Sequence, residues 1–236
     1  MSAHALIAGD IGPLALDIAA LLTKRGWDIS FGFAQEDGEA AVARISTSGL
    51  APKRMRALDF APDRLAVQVR SLAPFDSFIL VPRWSGYASV LAVQPAAWEA
   101  ALSQNVAEAA LVVKAAADIL AGQGGGKLVT VLSAASYVAE EGGCVLGVSH
   151  QALAVLLKQA ALELAPRGVT VNKVLVGGVA GLWQDDVFTG APVPLTASGN
   201  LRDVSEACHY LISDAAAYLT GLELPVDGGL LLGAKG

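Results

Sequence analysis

Short apolar runs alternate with helical segments along the whole chain, and that alternation constrains the fold more than any other feature. Runs at Ala3 to Ala8, Asp28 to Phe33, Arg56 to Leu58, Phe78 to Val81, Lys127 to Leu132, Thr170 to Val176 and Leu222 to Val226 have the length and aliphatic content of buried strands. Between them, the spacing of apolar residues predicts helices over Leu14 to Arg25, Pro62 to Leu72, Pro95 to Leu120, Val148 to Leu164 and Val204 to Ser213, with a weaker one at Glu39 to Arg44. Pro13 and Pro62 stand where a first helical residue has no N–H to lose, and Gly26 ends the first helix. Strands that alternate with helices return parallel through right-handed crossovers. The expectation is therefore an α/β fold: a doubly wound, Rossmann-type parallel sheet with helices on both faces, a single domain over residues 1–236.

Hydrophobic residues make up 54% of the chain and charged residues 16%, which leaves apolar surface to hide between subunits. The net charge of −6, with no evident Lys/Arg cluster, argues against a nucleic-acid partner. No uninterrupted apolar run reaches the ~18 residues of a membrane helix, and the start, Met1 to His4, leads straight into a strand without the features of a signal peptide. Cys144 and Cys208 form no metal or redox motif and read as reduced thiols, so the expected location is cytoplasmic and the expected metal content none.

The stretch Ser133 to His150 follows one strand and leads into a long apolar helix, which is where an α/β enzyme builds its site. With it come other segments in a telling order: Trp98-Glu99 and Asn105 in the preceding long helix, Gly126 to Ser133, Leu162 to Asn172, and Leu219 to Gly221 followed by Val226 to Gly229. Together they resemble the short-chain dehydrogenase/reductase family over nearly the whole chain. The resemblance implies an NAD(P)-linked oxidoreductase fold, with Asn105 and Ser133 at the positions of the family's catalytic asparagine and serine. Counting 13 residues on from Ser133, where the family keeps its Tyr, reaches Leu146; four further, where it keeps its Lys, stands His150. A phenol of reference pKa near 10 needs a nearby cation to pass a proton at neutral pH. Leu146 has no proton to pass. Tyr87, Tyr137, Tyr210 and Tyr218 are followed four residues on by Leu91, Glu141, Asp214 and Leu222, so no slipped alignment restores the pair.

The cofactor positions depart as well. Gly9-Asp10-Ile11-Gly12 is shorter than the family's glycine loop, and Asp10 puts a carboxylate where a pyrophosphate would meet a helix N-terminus. Phe33-Ala34-Gln35 ends the second strand without an acid for a ribose or an Arg for a 2′-phosphate. Arg83 and Trp84 replace small residues beside the adenosine, while Asp59 matches an adenine-contacting Asp.

For each residue the plainer reading is the expectation. Asn105 sits at a helix irregularity, Ser133 caps local backbone, and His150 makes an ordinary hydrogen bond instead of replacing Lys. Asp10 is an N-cap, Asp59 is a remnant of the fold, and Glu140-Glu141 is a solvated loop instead of an acid/base pair. Trp183 and Phe188 line a substrate pocket under a lid, anchor the loop or meet a partner. The joint losses imply a non-catalytic subunit that binds no cofactor and pairs with an active paralogue holding NAD. The pairing is expected as a heterotetramer through residues 98–120, 148–164 and the C-terminal strand. The pattern is similar to that of inactive subunits in heteromeric hydroxyacyl-CoA dehydrogenases of the benzylsuccinate route of anaerobic toluene breakdown, which implies acyl-CoA metabolism. A divergent oxidoreductase using Ser133, Tyr137 or His150, and a ligand-sensing regulator built on the loop 177–199, are the alternatives.

Overall fold

The computed structural model describes residues 2–83, 88–182, 193–195 and 198–232. Seven strands form one parallel sheet: β1 (His4–Gly9), β2 (Asp28–Ala34), β3 (Arg54–Leu58), β4 (Ser77–Val81), β5 (Gly126–Ser133), β6 (Val169–Val176) and β7 (Glu223–Val226), in the order β3-β2-β1-β4-β5-β6-β7. The α/β fold of a doubly wound sheet with helices on both faces is thus the observed one. The order reverses between β1 and β4, and the carboxyl ends of those two strands open the crevice where such sheets bind ligands.

Period-two alternation along buried strands supplies both cores. In β1, Ala5 and Ile7 face a cluster with helices α1 (Pro13–Lys24), α2 (Gly38–Thr47) and the last helix, Leu201–Ile212. Leu6 and Ala8 face the other cluster, with α3 (Pro62–Arg70) and two long helical segments. The first of these segments is expected from the sequence as one helix from Pro95 to Leu120. It is α4 (Pro95–Leu102) and α5 (Ala109–Gly122) joined by a π-helical stretch, Ser103–Glu108, whose buried residue is Asn105. The second, α6, runs Cys144–Leu164 and starts one turn earlier than the expected Val148. Val145 and Leu146 in that extra turn are fully buried, and Gly147 packs where any side chain would strike the Ala135 carbonyl. The last helix is α7 (Leu201–Ile212), with Asn200 and Asp203 forming a capping box.

By length and apolarity alone α6 would also cross a bilayer, unlike anything expected from uninterrupted runs; half of that window is buried inside the fold. Its hydropathy is that of a core helix lying on the sheet.

Candidate functional site

The residues singled out around Ser133 converge at the carboxyl end of β5. Ser133 is fully buried, and its hydroxyl accepts from the Ala135 N–H at 3.1 Å, which starts a short 3-10 turn. Its own main-chain N–H donates to Nδ1 of His150 at 2.9 Å. A backbone amide can only donate, so Nδ1 carries no proton and the ring proton of the neutral form sits on Nε2. Nε2 faces the Arg83 carbonyl at 3.3 Å, an acceptor. His150 is thus a fully buried, neutral staple between the ends of β5 and β4. Burial holds its pKa down, to about 4, against a smaller opposing pull from the Arg83 carbonyl.

Leu146, at the position of the family Tyr, is fully buried. Asn105 reaches the same turn of α6: its Nδ2 donates to the Ser149 hydroxyl at 3.2 Å, and that hydroxyl donates to the Leu146 carbonyl at 3.1 Å. Asn105 Oδ1 is buried without a partner among the described residues. Asn105, Leu146 and His150 therefore form a packed seam between the π-helical stretch and α6.

The glycine loop lies on the other side of the crevice. Gly9 has φ +108°, and a side chain there would run into the Val81 carbonyl oxygen. The next amide, Asp10 N–H, donates to that same oxygen at 2.8 Å, so it is turned into the sheet and away from any phosphate. The expected N-cap role of Asp10 is corrected: the N-cap of α1 is Gly12, with no side-chain cap bond. The Asp10 carboxylate instead lies beside Gly12 and 3.7 Å from Arg44.

Arg83 closes the mouth. Its guanidinium meets Glu36 at 2.9 Å and Asp37 at 2.5 Å. Those two acids stand one and two positions beyond Gln35, just past the end of the second strand, Phe33-Ala34-Gln35, which carries no acid for a ribose. Glu108, at the end of the π-helical stretch, completes the group. Burial raises the pKa values of Asp10 and Glu108, with the neighbouring carboxylates pushing the same way. Four carboxylates, Asp10, Glu36, Asp37 and Glu108, thus surround two cations, Arg44 and Arg83, a balance that repels a pyrophosphate. Behind them, between Gly9, Phe33, Leu58, Pro82 and Arg83, only about 30 Å³ remains. Ligand pockets run to roughly 300–1,000 Å³. At this end of the crevice the described residues do not fit the adenosine half of a dinucleotide.

The other positions lie apart. Asp59 lies just ahead of α3: its carboxylate accepts from the Ala61 N–H at 3.0 Å and pairs with Arg64 at 3.0 Å. Glu141 is exposed, while Glu140 is half-buried against Gly143. Trp84, Trp183 and Phe188 lie outside the described residues. One further polar chain had no reading from the sequence. Lys173, 1% exposed in the middle of β6, pairs with Glu223 at 2.6 Å. Glu223 also accepts from the Tyr137 phenol, and burial together with that carboxylate pushes the Tyr137 pKa up, away from proton transfer. The visible signal was a lone charge inside an apolar strand.

Residues 12–231 match the family described as enoyl-(acyl carrier protein) reductase, of the short-chain dehydrogenase type. The 3-oxoacyl-[acyl-carrier-protein] reductase FabG of Staphylococcus aureus is 23% identical over 98% of this chain and 99% of its own length. The 2,5-dichloro-2,5-cyclohexadiene-1,4-diol dehydrogenase LinX of Sphingobium indicum is 30% identical over 58% of this chain and 57% of its own. Among solved structures, a short-chain type dehydrogenase/reductase from Mycobacterium ulcerans superposes with a TM-score of 0.86 at 23% identity, covering 98% of this chain and 92% of that one.

Proposed function

The chain belongs to the short-chain dehydrogenase/reductase family, and from that premise we propose that it serves as a non-catalytic subunit supporting an active paralogue. The observation that carries this reading is His150. A lysine at this position would hold charge beside a cofactor; here a neutral ring, fully buried, ties the backbone of β5 to the backbone that follows β4. The protein has taken the site's central position into its own framework. The buried Leu146 and the Arg83 latch on Glu36 and Asp37 support the same reading.

What the fold still offers is surface. On α6, Val148, Val155 and Leu162 are 50%, 52% and 74% exposed at intervals of seven residues, so they line one side of the helix opposite its buried face. Such a stripe suits a helix of another subunit. The partner in this reading is an NAD-dependent dehydrogenase of the same family, and acyl-CoA thioesters of the benzylsuccinate type are the substrate class suggested by the resemblance. Calorimetric titration with NAD(H) and NADP(H), alongside native purification, tests it: no heat of binding and a co-purifying family member are the expected results. Micromolar binding, or a stable homo-oligomer alone, would favour a divergent oxidoreductase, the activity named for the relatives.

A further inference from the structure

The cations that look scattered in the sequence gather on one edge of the fold. Residues 41–72 hold Arg44, Lys53, Arg54, Arg56, Arg64 and Arg70 against Asp59 and Asp63, a balance of +4 in a chain of −6, which leaves −10 for the remainder. Arg44, Lys53 and Arg64 have carboxylate partners in Asp10, Asp28 and Asp59. Among the described residues Arg54, Arg56 and Arg70 have none, and all three are exposed.

Arg54 and Arg56 lie on β3, an open edge of the sheet. The Lys53 N–H donates inward to the Ile29 carbonyl at 2.7 Å. Within β3 the register decides the rest: Ser30 and Gly32 bond to β1, so their partners Arg54 and Arg56 turn their peptide groups inward to β2, and the N–H and C=O of Met55 and Ala57 point away from the sheet. The two residues with unpaired side chains therefore flank the outward main chain of Met55. Their side chains share the face on which Leu58 packs with Leu65 and Val69 of α3. Met55 and Ala57 take the other face, where Ala57 packs with the α2 side. Along this edge runs a groove of about 970 Å³ with Phe33, Val42, Met55, Arg56 and Gln68 among its walls. Val42, Met55 and, on α3, Val67 are 41%, 43% and 68% exposed. Glu39 is the carboxylate in its lining, at the end nearest the strands' carboxyl termini.

We propose that the β3 edge binds an extended acidic segment of a partner protein, which adds to the sheet as an eighth strand. The alternation on β3 specifies the pattern: acidic residues facing Arg54 and Arg56, apolar residues facing Met55 and Val42, and main-chain bonds to Met55 and Ala57. Charge on an edge strand also guards against unwanted pairing. Here it does so selectively, because two copies meeting at this edge would set Arg54 and Arg56 against themselves, whereas an acidic strand meets opposite charge. The surface is distinct from the α6 stripe and does not depend on the absence of catalysis.

The test uses the full chain and a fluorescent peptide of about seven residues alternating Glu and Val, the length of an ordinary strand. Controls alternate Lys and Val, or carry the Glu/Val composition in blocks. Anisotropy is expected to rise with the Glu/Val peptide alone and to weaken as salt is added. Hydrogen exchange is expected to slow at the outward Met55 and Ala57 amides. Arg54→Glu with Arg56→Glu should weaken the acidic peptide about tenfold or more and admit the Lys/Val peptide. Arg54→Gln with Arg56→Gln, which adds no repulsion, should weaken the first without admitting the second. Equal binding of the block peptide, binding without amide protection, or no binding at millimolar peptide each overturns the proposal.

Discussion

His150 holds its place only as a neutral ring, because its Nδ1 must accept from the Ser133 N–H. A base whose pKa is depressed on folding, here from 6.5 to about 4, stabilises the fold fully above its unfolded value and progressively less as pH falls from about 6.5 to 4. A shift of that size corresponds to about 3 kcal/mol across the window. Asp10 and Glu108, whose values are raised, favour the folded state in acid and act in the opposite direction. His150→Gln keeps one acceptor and one donor but does not titrate. The difference between the denaturation curves of the two proteins should therefore widen below pH 6.5 in favour of the variant, and a constant difference would place the buried charge elsewhere. The double variant Leu146→Tyr with His150→Lys restores the family pair on paper. The phenol enters a fully buried seam, where overpacking costs about 1–3 kcal/mol. The ammonium loses the staple and meets the Ser133 N–H, a donor, at the cost of several kcal/mol more. The expected outcome is a destabilised protein with no NADH formation in an absorbance assay; measurable turnover would show the crevice to be open.

On α6 one helix carries two roles, and they separate by face. Leu146, His150, Leu153, Leu157 and Ala161 are buried, while Val148, Val155 and Leu162 are exposed on the outer side. Exposed substitutions usually change stability by less than about 0.5 kcal/mol. Val155→Asp with Leu162→Asp should thus leave the melting temperature of the isolated chain unchanged yet abolish co-purification with the partner, read by native mass spectrometry. Retained stoichiometry would remove α6 from the contact. The same elements show what a sequence discloses. Central strands such as β4 and β5 are readable because burial on both faces makes them largely apolar. β3 was read too short, from Arg56 instead of Arg54, since an exposed edge needs no apolar run. The loss of the Tyr and Lys is countable from Ser133. The bonds of His150 are not, because one runs to a main-chain carbonyl 67 residues away, and a carbonyl has no sequence signature. The Arg83 latch likewise joins charges 46 positions apart, which only the adjacency of β1 to both β2 and β4 brings together.

At the scale of the molecule, unrelated parts crowd the crevice at the β1/β4 reversal among the described residues: the Gly9-to-Val81 contact, the Asp10 carboxylate, the Arg83 latch, the His150 staple and the buried Leu146. Crowding by so many groups has a collective consequence under the proposed function. No single substitution is expected to restore binding, and the fold's stability should be indifferent to a nicotinamide cofactor. A dinucleotide at a hundred times its Kd would stabilise the native state by about 2.7 kcal/mol. For a chain of this length each kcal/mol raises the melting temperature by about 2–4 °C. A binding-competent crevice with a Kd near ~10 μM would therefore shift the transition by roughly 5–10 °C in ~1 mM NAD+ or NADH. The expected shift is under about 1 °C for either cofactor, in the wild type and in Arg83→Ala alike, because removing the guanidinium leaves Asp10, Glu36, Asp37 and Glu108 as unrelieved negative charge at the same mouth. A shift of several degrees in Arg83→Ala alone would identify the latch as a gate over a site that still works.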